Sequence, residues 1–503
     1  MWRLKLFRRR YFRQLLIYII IVSCFLAFLF SNSTSLYQEP EIPKSAPARR
    51  EPASADYVAP VVPSTSTEPN LGKQRHLSPV GQLPWFFQNG TYCPQPTRGR
   101  KSPIWPDESS EDRIVEQLMY RPAIEHGVAS GPERTSIILA QEENSVLVEE
   151  RSKHEHQKSK RTGDKLVLLY NQHGWPGVKL GSGMFDKCPV RSCSVTKSKH
   201  DMRIADAVLF KDFVPAVAKP HPDQIWILYL LESPMHTQGF LNVHSINWTA
   251  TYRRDSDIVT PYAKWVYYDP EVTSLPVSRN HAANKTKLVA WFVSNCHARN
   301  NRLQFVRELA KHVGVDIYGA CGNYKCPRNN AKMCFDLLNA RYKFYLAFEN
   351  SNCVDYITEK FFVNGLTNDV VPIVMGARPQ DYARAAPKKS YIHVDDFASP
   401  QDLAEYLKYL DSHDAAYNEY FTWKGTGEFI NTYFFCRMCA MLHDPEPPSK
   451  EYLNLSKWWR LDAMCRRGSW NTTLEQKTSE QHKAELANKE KRGTDSDKWP
   501  VLL

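Results

Sequence analysis

The sequence predicts an α/β fold built on two doubly wound parallel sheets. Three observations lead there. From Lys165 onward, short apolar runs alternate with amphipathic or polar stretches of helical length, the pattern of parallel sheets with helices on both faces. One run, Ile225–Leu231, is apolar throughout, as in a strand buried on both sides. The alternating region covers about 310 residues, too many for one such core, so two domains are expected.

In chain order, Leu166–Tyr170, Ala207–Phe210 and Ile225–Leu231 read as strands of a first domain, 164–285. A second series opens at Lys287 and builds a domain over 286–470. Leu288–Val293 is a strand, Arg302–His312 an amphipathic helix and Val315–Tyr318 another strand. Phe344–Phe348 and Val370–Met375 follow as buried strands. Gln401–Asp411 is a helix with Leu403, Tyr406, Leu407 and Leu410 along one side. Residues 471–503 are polar and charged and read as a disordered tail.

Upstream, Arg3, Lys5, Arg8, Arg9, Arg10 and Arg13 precede Leu15–Phe30, a run with no charge. A basic flank before an apolar span, with almost no charge after it, predicts a signal anchor with a cytoplasmic tail at 1–14 and the rest lumenal. The span is short, but Tyr11, Phe12 and a thin membrane favour it. A cleaved signal peptide is the rival, and Ser31-Asn32-Ser33 makes a poor cleavage site for it. Residues 31–84 are rich in Pro, Ser, Thr and Ala and read as a flexible stem, which we extend to 163. Within it, Trp85-Phe86-Phe87 and Asp112–Tyr120 are patches able to pack or form a helix.

Two features suit an oxidising lumen. Asn32, Asn89, Asn247, Asn284, Asn454 and Asn471 each begin an N-x-S/T sequon. Of the 12 cysteines, all but Cys24 lie beyond the anchor and are expected in disulfides, with Cys436, Cys439 and Cys465 as candidates and one thiol left over. Cys436-Arg-Met-Cys439 with Cys465 lacks a fourth zinc ligand at the usual spacing. The formal net charge is +11, but the six basic residues before the anchor account for more than half of it. The mildly basic remainder fits an anionic small-molecule substrate. It carries no arginine-rich face with interleaved aromatics, which argues against nucleic acid.

The chemistry concentrates where polar clusters follow strands, because ligands of parallel sheets bind beyond their carboxyl ends. Glu232-Ser233-Pro234 follows Ile225–Leu231, Ser294-Asn295 follows Leu288–Val293, with Arg299 and Arg302 just after, and Glu349-Asn350-Ser351 follows Phe344–Phe348. A fourth cluster, Thr251–Asp257, reads as a loop, or simply as a salt-bridged surface turn. The stretch Phe344–Phe362, FYLAFENSNCVDYITEKFF, turns through Glu349–Asn352 into a helix expected to start at about Asp355 as N-cap. Tyr356, Glu359 and Lys360 would then share one face near the helix N-terminus. Free N–H groups and a lysine there suit a nucleotide-sugar diphosphate; a solvated Glu359–Lys360 pair is the plain alternative. There is no Gly-x-Gly-x-x-Gly or Walker loop. With no Asp-x-Asp element to hold a divalent ion, cationic side chains and helix ends are left to neutralise the leaving group.

These residues resemble the α1,3-fucosyltransferases. Phe344–Phe362 is similar to that family's signature, Thr251–Asp257 with Pro261-Tyr262 to its second cluster, and Glu232–Thr237 to its acceptor-side motif. Val293-Ser294-Asn295 before Arg302, Val371–Gly376 and the closing cysteine pair Cys436/Cys439 also fit, in order over roughly residues 165–465. Ser351–Asp355 with Lys360-Phe361-Phe362 looks most like the invertebrate and plant branch, and within it like the insect core enzymes. Ala263 and Asn364–Asp369 depart from the family pattern.

The resemblance implies two facing Rossmann-like domains (GT-B type) and GDP-fucose as donor. It implies inverting transfer to the 3-hydroxyl of N-acetylglucosamine, with the innermost residue of N-glycans as acceptor, and a place in the Golgi membrane. An outer-arm N-acetylglucosamine or a non-catalytic glycan-binding role is the alternative. Glu232 would be the base, and Arg302 and Lys360 would hold the diphosphate. Tyr356 and Glu359 would contact guanosine or fucose, with Asn350 and Tyr252 as weaker substrate contacts. The mechanism requires no cofactor, and Mn stimulation finds no supporting metal motif. Oligomeric state is left open.

Overall fold

The computed structural model describes residues 84–87, 112–122, 163–171, 175, 177–240, 243, 245–327, 330–444 and 450–471. The expected anchor at 15–30, the sequons at Asn32 and Asn89, Cys24, Cys93 and the polar tail after 471 lie outside them. Among the described residues no helix is long and apolar enough to cross a membrane. The chain divides into two compact units, Met1–Gln74 with Asn171–Leu180, and Arg75–Tyr170 with Gly181–Leu503; everything below concerns the second.

That unit holds two fully parallel sheets. The first has the order β2-β1-β3-β4-β5-β6, from β1 (Lys165–Leu169), β2 (Cys193–Thr196), β3 (Ala207–Lys211), β4 (Ile225–Leu230), β5 (Trp248–Thr251) and β6 (Ile258–Val259). The run at 225–231 is the interior strand its uniform apolarity predicts, paired in parallel with β3 and β5. An antiparallel pair joins β7 (Lys264–Tyr267) to a later strand, Gly427–Ile430.

The second sheet runs β13-β12-β10-β8-β9, from β8 (Lys287–Phe292), β9 (Val315–Tyr318), β10 (Tyr342–Phe348), β12 (Val371–Met375) and β13 (Ile392–His393); the short β11 is Asn352–Cys353. The chain leaves β8 to one side for β9 and returns to the other for β10, so the strand order reverses between β8 and β10, the kind of switch point beyond whose carboxyl ends parallel sheets bind ligands. Both faces are covered. Val289, Trp291, Phe344, Leu346 and Ile373 pack with helix α2 (Arg302–Leu309) and with α5 (Pro400–Ser412) through Leu403, Leu407 and Leu410. Ala290, Tyr345, Ala347 and Val374 pack on the opposite side with Leu338, Phe361, Phe362 and Tyr382.

Three expectations change. The first sheet is not covered by its own crossover helices. Among the described residues only the 3₁₀ turn Lys199–Arg203 lies between its strands, and segments from the end of the chain cover it instead. On one face Leu168, Phe210, Trp226 and Leu228 pack with Tyr452, Leu455 and Trp459. On the other, α7 (Phe434–Leu442) sets Phe434 against Tyr229, with ring centroids 5.3 Å apart. The chain therefore returns to the first sheet before 470, across the expected boundary of the second domain.

Within the expected stem at 31–163, the two patches at 85–87 and 112–120 do pack, the second as a helix, and they do so against the strands of the folded region rather than as isolated order in a stem. Helix α1 (Arg113–Met119), capped by Asp112, buries Ile114, Leu118 and Met119 with Phe86, Phe87, Val259 and Ile430. Its Arg113 donates to the Ser256 carbonyl at 2.9 Å and also to that of Arg254, and Gln117 donates to the Asp257 carbonyl at 2.8 Å.

Finally, Cys436 and Cys439 pair not with each other but with Cys188 and Cys193, while Cys465 pairs with Cys353. With Cys296–Cys321 and Cys326–Cys334, every described cysteine is bridged. Cys193, Cys439 and His443 lie close together, but the disulfide leaves no thiolate there for zinc.

Candidate active site

Strands β4 and β10 both end in a glutamate within two residues, and these carboxyl ends meet. Glu232, just past β4, is half-buried. Its Oε1 accepts from the backbone N–H of Ser233 at 2.8 Å, from the Tyr356 hydroxyl at 2.7 Å and from Asn350 Nδ2 at 3.3 Å. Asn350 follows β10 of the second sheet, and Tyr356 follows the short β11 that comes after it, so two of the three donors come from the segment beyond β10.

Tyr356 is brought there by a different backbone from the one expected. No helix begins at Asp355. That residue sits in a turn at φ +59°, its amide donating to Asp381 Oδ2 at 3.0 Å and its carboxylate accepting from the Arg254 amide at 3.0 Å. The helix starts later and is a π-helix, Lys360–Leu366, so Tyr356, Glu359 and Lys360 do not share a helical face. The N-cap pattern at Asp355 was satisfied by tertiary contacts instead. Burial pushes the Asp355 carboxyl up to about 6, with Asp381 adding to it. The Cys353–Cys465 bridge and the β11 pairing with Cys465-Arg466 anchor the turn from below.

Lys360 is not a solvated partner of Glu359. Its Nζ donates to Glu349 Oε2 at 3.1 Å, Thr358 Oγ1 at 2.9 Å and Glu359 Oε1 at 3.1 Å, which accounts for all three protons. Glu349 is the residue the sequence underrates. It is fully buried and also accepts from the Thr358 amide at 2.8 Å. Burial pushes its carboxyl up, and Lys360 opposes that shift. Room for it comes from Gly376, at φ +152°: a Cβ there would lie 2.6 Å from Glu349 Cγ.

Arg302 begins α2 as expected, but its guanidinium turns inward. It is 4% exposed, and it donates to the carbonyls of Phe348 at 2.7 Å and Asn295 at 3.0 Å, tying the ends of β8 and β10 together. Its Nε has no hydrogen-bond partner among the described residues. Burial lowers its pKa, and Glu349 counteracts this. Asn300 reinforces the same seam through the Glu349 carbonyl at 3.0 Å and Asn352 Oδ1 at 2.9 Å. Glu359 is the exposed acid of the group, 44% accessible at its side chain.

The Thr251–Asp257 segment is not a surface turn. Tyr252 is buried between Tyr356 (centroids 5.1 Å apart) and Trp459 (5.7 Å), and its hydroxyl has no partner among the described residues. Arg253 pairs with Asp255 and lies 4.3 Å from the Trp458 ring. Buried Asp257 receives Lys450 at 2.6 Å and Tyr452 at 2.8 Å. Of the sequons, Asn284 and Asn454 are exposed and Asn471 is half-buried, Asn454 also capping the helix after it. The Asn247 amide is engaged at both ends, by Trp226 and Lys219 at Oδ1 and by the Lys450 carbonyl at Nδ2.

The structure thus brings Glu232, Asn350, Tyr356, Glu359 and Lys360 to one edge, with Tyr252 behind Tyr356 and Arg302 beneath. Chemically this is a carboxylate with one oxygen saturated by donors, beside a buried acid–lysine pair.

Residues 282–458 match the family described as glycosyltransferase family 10 (fucosyltransferase), C-terminal, and residues 162–263 match the fucosyltransferase N-terminal family. The chain is 48% identical over 414 residues to glycoprotein 3-alpha-L-fucosyltransferase A of Drosophila melanogaster, covering 79% of this chain and 76% of that protein. It is 38% identical over 248 residues to mouse (Mus musculus) alpha-(1,3)-fucosyltransferase 4, covering 48% of this chain and 56% of that one. A solved alpha1,3-fucosyltransferase with GDP-fucose is similar with 16% identity and a TM-score of 0.38, over 57% of this chain and 93% of that one.

Proposed function

Since the chain belongs to glycosyltransferase family 10, the fucosyltransferases, we propose that it transfers L-fucose from GDP-fucose to the 3-hydroxyl of N-acetylglucosamine, inverting the anomeric carbon. The acceptor is the innermost N-acetylglucosamine of N-glycans on glycoproteins. The observation that carries this reading is Glu232. Its Oε1 is held by three donors, so Oε2 is the oxygen left to take the acceptor proton.

In the transfer, the acceptor 3-oxygen attacks the fucosyl anomeric carbon as Glu232 removes its proton. The bond to the β-phosphate breaks on the opposite face, and GDP leaves with the electron pair. Lys360 meets the developing charge by exchanging the exposed Glu359 for a phosphate oxygen, while Glu349 and Thr358 keep hold of the ammonium. Arg302 contributes a fixed positive charge from behind the β8 and β10 ends rather than a direct contact. Released Glu359 is then free to accept from sugar or ribose hydroxyls, with Tyr356 and Asn350 serving the base and Tyr252 backing Tyr356. The two parallel sheets stand as the two Rossmann-like domains of a GT-B enzyme, acceptor side first. The basic flank, apolar run and sequons, with the five disulfides among the described residues, support a single-pass Golgi protein whose catalytic part is lumenal.

The test is transfer from GDP-fucose to a defined N-glycan, with the product linkage read by mass spectrometry. Fucose on the innermost residue is expected. Fucose on an outer arm would sink the acceptor assignment, and activity with another sugar nucleotide but none with GDP-fucose would sink the donor. Glu232→Gln should abolish transfer while GDP binding, followed by calorimetry, is retained; surviving activity would mean another base.

A further inference from the structure

One of the three donors converging on Glu232, Asn350, is itself held by a chain of side chains ending at an exposed imidazole. Asn350 presents Nδ2 to Glu232 because its Oδ1 is taken by the Ser351 hydroxyl at 3.0 Å; the flipped amide would set an oxygen against the carboxylate. Ser351 is fully buried. Its Oγ lies 2.9 Å from Ser233 Oγ and 3.0 Å from His236 Nδ1, and Ser233 Oγ is 3.2 Å from the same nitrogen. Counting protons gives these contacts a direction. The Ser351 proton is spent on Asn350, so Ser351 Oγ can only accept from its other two neighbours. Ser233 supplies one proton, and a contact of 3.0 Å between Oγ and Nδ1 then requires the imidazole to carry its proton on Nδ1.

We propose that His236, locked as the Nδ1–H form, is a positioning residue of this active site: through Ser351 it turns the Asn350 amide so that Nδ2 and not Oδ1 faces Glu232 Oε1, completing the set of donors that leaves Oε2 to take the acceptor proton. This rests on Glu232 as the base. His236 reaches the site from the β4 side and Ser351 from the β10 side, so the chain is complete only when the two strand ends are correctly apposed. Its effect belongs to the chemical step and not to donor binding, since Lys360 and the Glu349 carboxylate are held by Thr358 and Glu359 and not by the side chains of this chain of contacts.

Asparagine tests this, because its Nδ2 can stand where Nδ1 stands, whereas alanine and glutamine leave that place without a donor. In the full-length protein, His236→Ala should lower kcat on the order of 10-fold or more with the KM for GDP-fucose unchanged. His236→Gln should behave like alanine, and His236→Asn should return to within a few-fold of the wild type. Nitrogen NMR of histidine-labelled protein should show the signal lost in His236→Ala as the Nδ1–H form, and Ser351→Ala should shift it toward Nε2–H. Equal loss in the Asn and Ala variants, loss that falls on the GDP-fucose KM, or an Nε2–H imidazole in the wild type would each overturn the proposal while leaving the base intact. An active Glu232→Gln, with the Asn and Ala variants still distinct, would instead overturn the base and leave the chain of contacts standing.

Discussion

Replacing Lys360 by methionine strands Glu349. The carboxylate is 0% exposed and its ammonium partner lies 3.1 Å away with 23% of its side chain accessible. At an effective dielectric constant of about 20, such a pair attracts by about 5 kcal/mol. Solvent at the lysine end reduces this, and removing one partner of a buried pair costs about 3–5 kcal/mol; we take about 3. For a folded region of this size that corresponds to a fall in Tm of about 6 °C. The sign with pH follows from burial, which already raises the Glu349 pKa in the folded protein. A carboxyl raised on folding adds stability below its unfolded pKa, and this is lost as pH rises through the folded value. Without Lys360 the folded value climbs further, so the gap in Tm between wild type and variant should be widest near neutral pH and narrow on acidification. The double variant Lys360→Met/Glu349→Gln, which buries no charge, should recover most of the loss. Calorimetric scans of the three proteins between pH 5 and 8 provide the assay. A gap of under 1 °C, a gap independent of pH, or a double variant no better than the single one would refute the reasoning.

Gly376→Ala places a Cβ against Glu349 at a φ that L-residues rarely adopt; we expect a loss of at least about 2 kcal/mol, seen as a lower Tm, with weaker GDP binding in calorimetry. Replacing both Cys353 and Cys465 by serine opens a bridge spanning 112 residues and should cost about 3–5 kcal/mol, with kcat falling as well because the turn bearing Tyr356 loses its anchor; unchanged scans would show that the β11 pairing suffices. A fragment beginning at residue 123 lacks Phe86, Phe87 and α1, so it exposes Val259 and Ile430 and should melt well below one beginning at residue 75.

How much of this was legible in the sequence depends on the range of the signal. Strands announced themselves by local apolarity: Val315–Tyr318 was placed to the residue, and β4, β8, β10 and β12 to within two. Glu232 and Lys360 could be singled out because their neighbours form ordered motifs. The helix at Asp355 was misplaced because a capping pattern is local, while the pull of Asp381 and Arg254 on that turn is not. Arg302 looked like a helix-end cation because nothing within a few residues reveals that the Phe348 carbonyl lies over it. The only hint that 84–87 and 112–122 pack was their large apolar residues, set in a polar stretch.

By itself, then, the sequence determined the parallel α/β character, the family and the chemical groups available for transfer, because periodicity and motif order are properties of neighbouring residues. Tertiary structure alone decided the partners: Lys360 with Glu349, Tyr356 and Asn350 on one oxygen of Glu232, Cys188 and Cys193 with cysteines some 250 residues away, and the end of the chain laid over the first sheet. Those choices turn on burial and on satisfying every buried donor and charge, conditions that exist only once distant strands have come together.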